Sequence, residues 1–146
     1  MALTLRLTSD MDAKEMQPHW ADIVECLNRY VRRFPDDETI PNILRKCAEG
    51  KRQLWIVTDE NARVVLVPIT EIVTVDATGK TRLVMCEVGG FRIVEALPLY
   101  HEIEKWAVEN HGVTEVDWVG RKGWAKMIEP MGFTTQAVIW RKRIDQ

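Results

Sequence analysis

The residues best suited to chemistry gather at the end of a predicted strand at residues 82–88. Cys86 offers a thiol nucleophile, and Glu87 a base that takes a proton from an amine directly or through water. Gly89-Gly90 follows, and successive N–H groups at such a pair can form an anion-binding nest. The ordinary alternatives are that Cys86 is a buried thiol, that Glu87 is a solvent-facing strand residue, and that Gly89-Gly90 is a bulge or a strand-ending turn. We favour the ordinary alternative at all three places.

A second candidate pair lies downstream, where another predicted strand meets a short helix. The planar guanidinium of Arg121 suits a phosphate or a carboxylate, to which it can donate two hydrogen bonds. Trp124 can stack on a ligand ring or pack over the core beneath the short helix, and we favour packing. The basic residues at 121–126 and 141–143 have two interpretations. They form a surface that contacts an anion or nucleic acid, or they form a solvated face whose charge is offset by the acidic residues at 36–38. We favour the solvated face.

Other kinds of site are not indicated. His19, His101 and His111 do not cluster, and no paired Cys or His motif occurs, so no metal site is predicted. No Walker loop, nucleophile-elbow motif or dinucleotide fingerprint is present. The net charge of -2 gives no reason to expect nucleic-acid binding. No apolar run approaches the roughly 18 residues of a membrane span.

Length and cysteine use indicate a single domain in a reducing compartment. A chain of 146 residues can bury a real core, so we predict one domain over residues 1–146. Cys26, Cys47 and Cys86 are odd in number and set in apolar surroundings, which predicts buried free thiols and a cytoplasmic protein.

Periodicity places these residues on alternating strands and helices. Strands are predicted at 3–8, 54–57, 63–75, 82–88, 113–119 and 134–143, and helices at 18–33, 40–49, 98–111 and 122–131. Pro68 interrupts the third strand, and we expect a sheet edge or a bulge there because proline cannot donate to a ladder. The strand, helix and strand over 82–119 predict one parallel crossover in a mostly antiparallel sheet.

Residues 119–133 form the most distinctive segment of the sequence. The segment reads as a strand end, a short amphipathic helix and a Gly132-Phe133 step, where glycine takes a positive φ at little cost. With the order β-α-α-β-β-β-α-β-α-β, it resembles the GNAT (Gcn5-related N-acetyltransferase) fold, most closely the small GNAT-like proteins of phages and prophages. The resemblance implies an α+β fold with a mixed, mostly antiparallel sheet and about four helices.

The resemblance also implies a place for acetyl-CoA. In this family the strands that correspond to 82–88 and 113–119 run parallel and splay apart, and the cofactor lies between them, with its pyrophosphate at the N-terminus of the next helix. Glu87 then corresponds to a general base. The cofactor-binding candidates are Met85, Cys86, Val88, Gly89, Gly90, Arg92, Arg121 and Trp124.

The sequence departs from the family pattern at the cofactor. The phosphate-loop pattern begins at Arg92, but Glu95 and Leu97 hold the places of its small residues. Ile128 stands where many members have the tyrosine that protonates the CoA thiolate, and only one strand fits after the Gly-Phe step.

Two functions are therefore expected from the sequence. The first is a GNAT-like protein without a working CoA site, which acts through protein contacts as a virion-associated or accessory protein in the host cytoplasm or the virion. The second is an active N-acetyltransferase that moves an acetyl group from acetyl-CoA to an amine. The exposed last strand predicts a protein partner or a homodimer.

Overall fold

The structure, a computed structural model, describes residues 2–144. Its elements are β1 (Thr4–Leu7), α1 (Ala13–Met16), α2 (Trp20–Arg33), α3 (Ile40–Ala48), β2 (Gln53–Thr58), β3 (Val64–Thr74), β4 (Thr81–Gly90), α4 (Ile93–Ala96), α5 (Tyr100–His111), β5 (Glu115–Trp118) and α6 (Ala125–Ile128). Short 3-10 turns at 17–19 and 97–99 join α1 to α2 and α4 to α5, and two more flank α6. The helices thus form four segments, as the sequence predicts.

The ends of the helices follow from local chemistry. The side chain of Thr39 accepts a hydrogen bond from the Asn42 N–H at 3.3 Å, which caps α3 as expected. Gly112 ends α5 with φ 60°, and Gly132 has φ 100° just after the last 3-10 turn. Phe133 then packs against the core, so the predicted Gly-Phe step is confirmed.

The five strands lie in the order β1-β2-β3-β4-β5. The first four pair antiparallel with their neighbours, whereas β4 and β5 pair parallel from Arg82↔Glu115 to Met85↔Trp118. The helices between them supply the crossover that a parallel pair requires. The predicted α+β fold and its single parallel crossover are therefore confirmed.

Helices cover both faces of this sheet. Leu54 and Ile56 of β2 are buried with Ile23 and Leu27 of α2, whereas Trp55 between them is buried with the α5 cluster. Successive side chains of a strand point to opposite faces, so α2 and α3 cover one face and α5 covers the other. We call these the α2 face and the α5 face.

One expectation about a single element was wrong. Residues 134–143 belong to no strand, because their backbone forms no ladder with the sheet. Pro68 lies in β3, an interior strand and not an edge, and the bulge expected as the alternative is the register shift that follows between Ile69 and Thr70.

Candidate functional site

The site begins where β4 and β5 part. Their last contact is the hydrogen bond from the Val119 N–H to the Met85 carbonyl, at 3.1 Å. β4 then continues to Gly90 with no strand on that side. We call the gap beyond Met85 and Trp118 the β4–β5 crevice. It has the splayed geometry that the resemblance implied for a cofactor.

A bulge in β4 lies at the mouth of this crevice. Ile69 pairs with Glu87 and Thr70 with Met85, so Cys86 is an extra residue without a partner on β3. A bulge changes the direction in which the following side chains point. Met85 and Val88 belong to the α5 face and line the crevice, whereas Glu87 faces α2 and α3. The candidate residues of β4 are therefore divided between the two faces of the sheet.

An aromatic cluster fills the crevice on the α5 face. The ring centroid of Trp118 lies 5.5 Å from that of Tyr100, 5.8 Å from that of Phe133 and 5.4 Å from that of Trp124. The cavity that remains is about 20 Å³ and is lined by Met85, Val88, Tyr100 and Trp118 among other apolar residues. Ligand pockets typically measure about 300–1,000 Å³, so this space suits a water molecule and not a cofactor arm.

Two buried polar atoms of this cluster lack a close hydrogen-bond partner. Within the described structure, the Trp118 Nε1 donates to no acceptor, and the Tyr100 hydroxyl has no hydrogen bond of ordinary length. Burial raises the pKa of Tyr100, and a long hydrogen bond to the Glu104 carboxylate raises it further, so the hydroxyl keeps its proton at neutral pH. Glu104 is therefore the acceptor available to Tyr100, whereas the Trp118 Nε1 is an unsatisfied buried donor, which is an uncommon state.

The predicted phosphate loop holds an ion pair of its own. Arg92 precedes α4 in the left-handed region, with φ 58°. Its Nε and Nη2 lie 3.1 Å and 2.7 Å from the two carboxylate oxygens of Glu95. This pairing lowers the pKa of Glu95, so the carboxylate stays charged at neutral pH. The Glu95 carboxylate thus pairs with the Arg92 guanidinium that a phosphate would otherwise bind.

The Gly89-Gly90 pair is explained by packing against α2 and β3. Both glycines pair with β3, and β4 ends at Gly90, so the pair forms no bulge but does end the strand, as the second expected alternative had it. A Cβ on Gly89 would lie 2.4 Å from the Cys26 carbonyl oxygen, and one on Gly90 would lie 2.5 Å from the Val65 oxygen. Gly90 also has φ +129°, a conformation that favours glycine.

Glu87 is not the solvent-facing residue that we favoured from the sequence. Its side chain is only 7% exposed, and the Arg52 Nη1 lies 2.9 Å and 2.8 Å from its two oxygens. Burial raises the pKa of Glu87, and the positive charge of Arg52 partly offsets that effect. Arg52 also donates from Nε to Glu71 at 3.0 Å. A base role for Glu87 requires that Arg52 move away first.

The three thiols are free, as predicted, but only Cys26 is fully buried. Cys47 and Cys86 are half-buried, and burial raises the pKa of Cys86 to about 12. The Cys86 Sγ lies 3.6 Å from the Val84 carbonyl oxygen. A protonated thiol is a poor nucleophile, so the geometry gives Cys86 no nucleophilic role.

Arg121 and Trp124 follow β5 and have different surroundings. Trp124 packs over Gly120, where a Cβ would lie 2.8 Å from the Trp124 Cδ1. Arg121 is exposed and forms no side-chain hydrogen bond or ion pair within residues 2–144. Trp124 thus extends the aromatic cluster, whereas the unpaired Arg121 guanidinium can bind an anion.

Sequence reasoning missed three residues of this region. Arg52 is 35 residues from Glu87, and no spacing links the two. Tyr100 and Trp118 were assigned no role in the crevice, although their positions at the start of α5 and the end of β5 were visible in the sequence.

Two other classes of site were also searched within the described residues. Residues 2–144 hold no group of three or more His, Cys, Asp or Glu side chains suited to a metal ion. Within the same range, no helix is long and apolar enough to cross a membrane.

Comparison with known proteins identifies the fold. The sequence matches no family model and no curated protein. The structure is similar to an acetyltransferase of Trypanosoma brucei (TM-score 0.69, 12% identity, covering 98% of this chain and 100% of that one). It is also similar to a GNAT family acetyltransferase of Staphylococcus aureus (0.64, 10%, 99% and 100%) and to the aminoglycoside 6'-N-acetyltransferase of Acinetobacter baumannii (0.66, 12%, 98% and 99%). Likeness at such low identity shows the fold alone.

Proposed function

We propose that this chain, which has the GNAT acetyltransferase fold, acts through protein contacts and not by acetyl transfer. The observation that carries the proposal is the packing of Tyr100 and Trp118 across the β4–β5 crevice, which leaves a cavity of about 20 Å³. A cofactor arm cannot enter unless these rings move. The residues present therefore do not fit acetyl-CoA.

The charges at the phosphate loop support the same proposal. Glu95 pairs with Arg92 and would repel a pyrophosphate, and Leu97 fills space where the family pattern has a small residue. Ile128, in the helix after β5, has no proton to give to a thiolate. The resemblance to phage-encoded proteins favours an accessory or virion-associated role.

A second function is favoured by the backbone. The bulge at Cys86 and the free side of β4 beyond Met85 provide the frame of an acetyl-CoA site, which an N-acetyltransferase would use. In that case Tyr100 and Trp118 move aside on binding, and Arg52 leaves Glu87 so that this carboxylate can take a proton from an amine.

Calorimetric titration with CoA and with acetyl-CoA tests the proposal. We expect no binding heat and no thermal shift up to about 1 mM, which corresponds to a binding free energy of about 4 kcal/mol. A cooperative unfolding transition of the same sample shows that the protein is folded. Micromolar binding would overturn the proposal and favour the acetyltransferase.

A matched pair of variants sharpens the titration. Glu95→Gln removes the negative charge beside Arg92, and Glu109→Gln removes the same charge from an exposed pair with Lys105. If the crevice is closed, the two variants behave alike and neither binds CoA. If the crevice opens for the cofactor, Glu95→Gln tightens CoA binding and Glu109→Gln leaves it unchanged.

A further inference from the structure

A second cavity lies on the α5 face of the sheet, where β1 and β2 meet α5. Its volume is about 300 Å³, at the lower end of the range for ligand pockets. Among the described residues, only Leu5 lines both this space and the small cavity of the crevice. The two spaces therefore have different walls, and we call this one the β1–α5 cavity.

Two tryptophans form the aromatic wall of the β1–α5 cavity. The ring centroids of Trp55 and Trp106 lie 5.2 Å apart, with their planes at 87°. The Trp55 Nε1 donates to the Thr70 hydroxyl at 2.9 Å, which fixes the orientation of this indole. The face of an indole ring carries negative charge density and attracts a cation that lies within about 6 Å of its centre. The wall is therefore held in place and suited to a positive group.

Two carboxylates line the same cavity. Asp10 belongs to the 3-10 turn that follows β1. Glu102 lies four residues before Trp106 on α5, so these two side chains share one side of the helix. Within residues 2–144, neither carboxylate forms an ion pair. Both are therefore available to a positively charged ligand.

Arg6 also lines the cavity, but an acid outside the cavity wall offsets its charge. The Arg6 Nη2 lies 2.9 Å from the Glu15 Oε2. This hydrogen bond lowers the pKa of Glu15, so the carboxylate stays charged at neutral pH and balances the guanidinium. The charges of Asp10 and Glu102 then remain, and they make the cavity negative.

We propose that the β1–α5 cavity binds a small organic cation that carries a guanidinium group. A guanidinium is planar, so it can stack on an indole ring while its N–H groups donate hydrogen bonds to a carboxylate. A second positive group on the same molecule can then meet the other carboxylate. The inference goes beyond the proposed function, because this cavity can bind its ligand whether or not the crevice admits a cofactor.

NMR titration of isotope-labelled protein with agmatine, which has a guanidinium at one end and an ammonium at the other, tests the proposal. The indole N–H signals of Trp55 and Trp106 should shift and reach saturation at millimolar agmatine. The signals of Trp118 and Trp124, which belong to the crevice cluster, should stay in place. Shifts confined to Trp118 and Trp124, or no saturable shift at all, would overturn the proposal.

Two further compounds define the chemistry that the cavity recognises. N-carbamoylputrescine has a neutral urea in place of the guanidinium of agmatine, and we expect it to bind at least about tenfold more weakly. N-acetylargininamide presents the guanidinium as an arginine side chain without a second positive group, and it should also bind more weakly than agmatine. Equal binding of the urea compound would show that charge is not recognised. Tighter binding of the arginine derivative would show that the cavity takes an arginine of another protein and not a free small molecule. Either result would overturn the proposal.

A matched pair of variants on α5 locates the binding. Glu102→Gln removes a carboxylate that lines the cavity, whereas Glu109→Gln removes one from the exposed pair with Lys105 on the same helix. We expect Glu102→Gln and Asp10→Asn each to weaken agmatine binding at least about threefold and Glu109→Gln to leave it unchanged. Asp10 and Glu102 are both exposed, so each variant should keep the fold. Equal effects of Glu102→Gln and Glu109→Gln would mean that agmatine responds only to the overall charge, and the cavity would not be its site.

Discussion

The Nη1 of Arg52 lies 2.9 Å and 2.8 Å from the two carboxylate oxygens of Glu87, beneath α2 and α3. The Arg52 side chain is 17% exposed and that of Glu87 7%, so solvent screens the pair poorly. The pair joins β4 to the residue just before β2. Removing Arg52 leaves the buried Glu87 carboxylate without its partner, whereas Arg52 keeps its hydrogen bond to Glu71 if Glu87 is removed, which makes the pair testable.

Arg52→Met is expected to lower the free energy of unfolding by about 3–5 kcal/mol, because it leaves the Glu87 carboxylate buried and unpaired. Urea unfolding at pH 7 measures this loss. The double variant Arg52→Met with Glu87→Gln should lose less, since no charge is then buried. Arg45→Met, which breaks an exposed pair with Glu49, should cost less than about 1 kcal/mol. Equal losses for Arg52→Met and Arg45→Met would contradict the assignment.

The cost of Arg52→Met should also grow with pH. Burial raises the pKa of Glu87 above its ordinary value of 4.5, and loss of the Arg52 cation raises it further. The folded state then holds a proton that the unfolded state has released, so stability falls as the pH rises through this window. Other charges near Glu87 are those of Glu38, Lys46 and Glu71. We expect a smaller deficit at pH 5 than at pH 8 by urea unfolding, and a deficit independent of pH would count against the mechanism.

Gly89→Ala tests whether this glycine serves packing. The added Cβ would lie 2.4 Å from the backbone oxygen of Cys26, so α2 must shift, at a cost of about 1–3 kcal/mol. Gly123→Ala is the control, because its Cβ meets nothing within 4 Å and its φ is ordinary. Thermal unfolding should show a clear loss for the first variant and little change for the second. An unperturbed Gly89→Ala protein would show that α2 is not held this closely.

The three thiols should react slowly in the native protein. Burial raises the pKa of Cys26 and Cys86 to about 12 and that of Cys47 to about 11, so few thiolates exist at pH 8. Alkylation with iodoacetamide, followed by mass spectrometry, should label all three only after denaturation. Rapid native labelling of Cys86 alone would instead indicate an activated thiol at the crevice.

Elements defined by local patterns were predictable from the sequence. The crossover from β4 to β5 follows from apolar periodicity, and the turn at Gly132 follows from the conformational freedom of glycine. The absence of a strand at 134–143 was not predictable in this way, because the strand preference of these residues does not supply a neighbouring strand.

The candidate site was harder to predict than the fold. Which face Glu87 occupies depends on the single extra residue at Cys86, and a shift of one residue reverses the side-chain direction in a strand. Its partner Arg52 comes from another part of the chain, so no local motif announces the pair. The Arg92–Glu95 contact is the exception, since three residues along one helical turn bring the two side chains together.

Tyr100→Phe tests whether the crevice is closed and dry. The Tyr100 hydroxyl is buried without a hydrogen bond of ordinary length, and its contact with the Glu104 carboxylate is long, so removing the hydroxyl should restore part of the cost of burying it. We expect the free energy of unfolding to rise by up to about 1 kcal/mol in urea unfolding. Tyr30→Phe is the control, because Tyr30 is the other tyrosine and lies half-buried on α2, away from the crevice. A loss of more than about 1 kcal/mol for Tyr100→Phe would mean that the hydroxyl has a strong acceptor, which is either Glu104 or a water molecule in the crevice. If that acceptor is water, the proposed closure is wrong, and the β4–β5 crevice is again a candidate cofactor site.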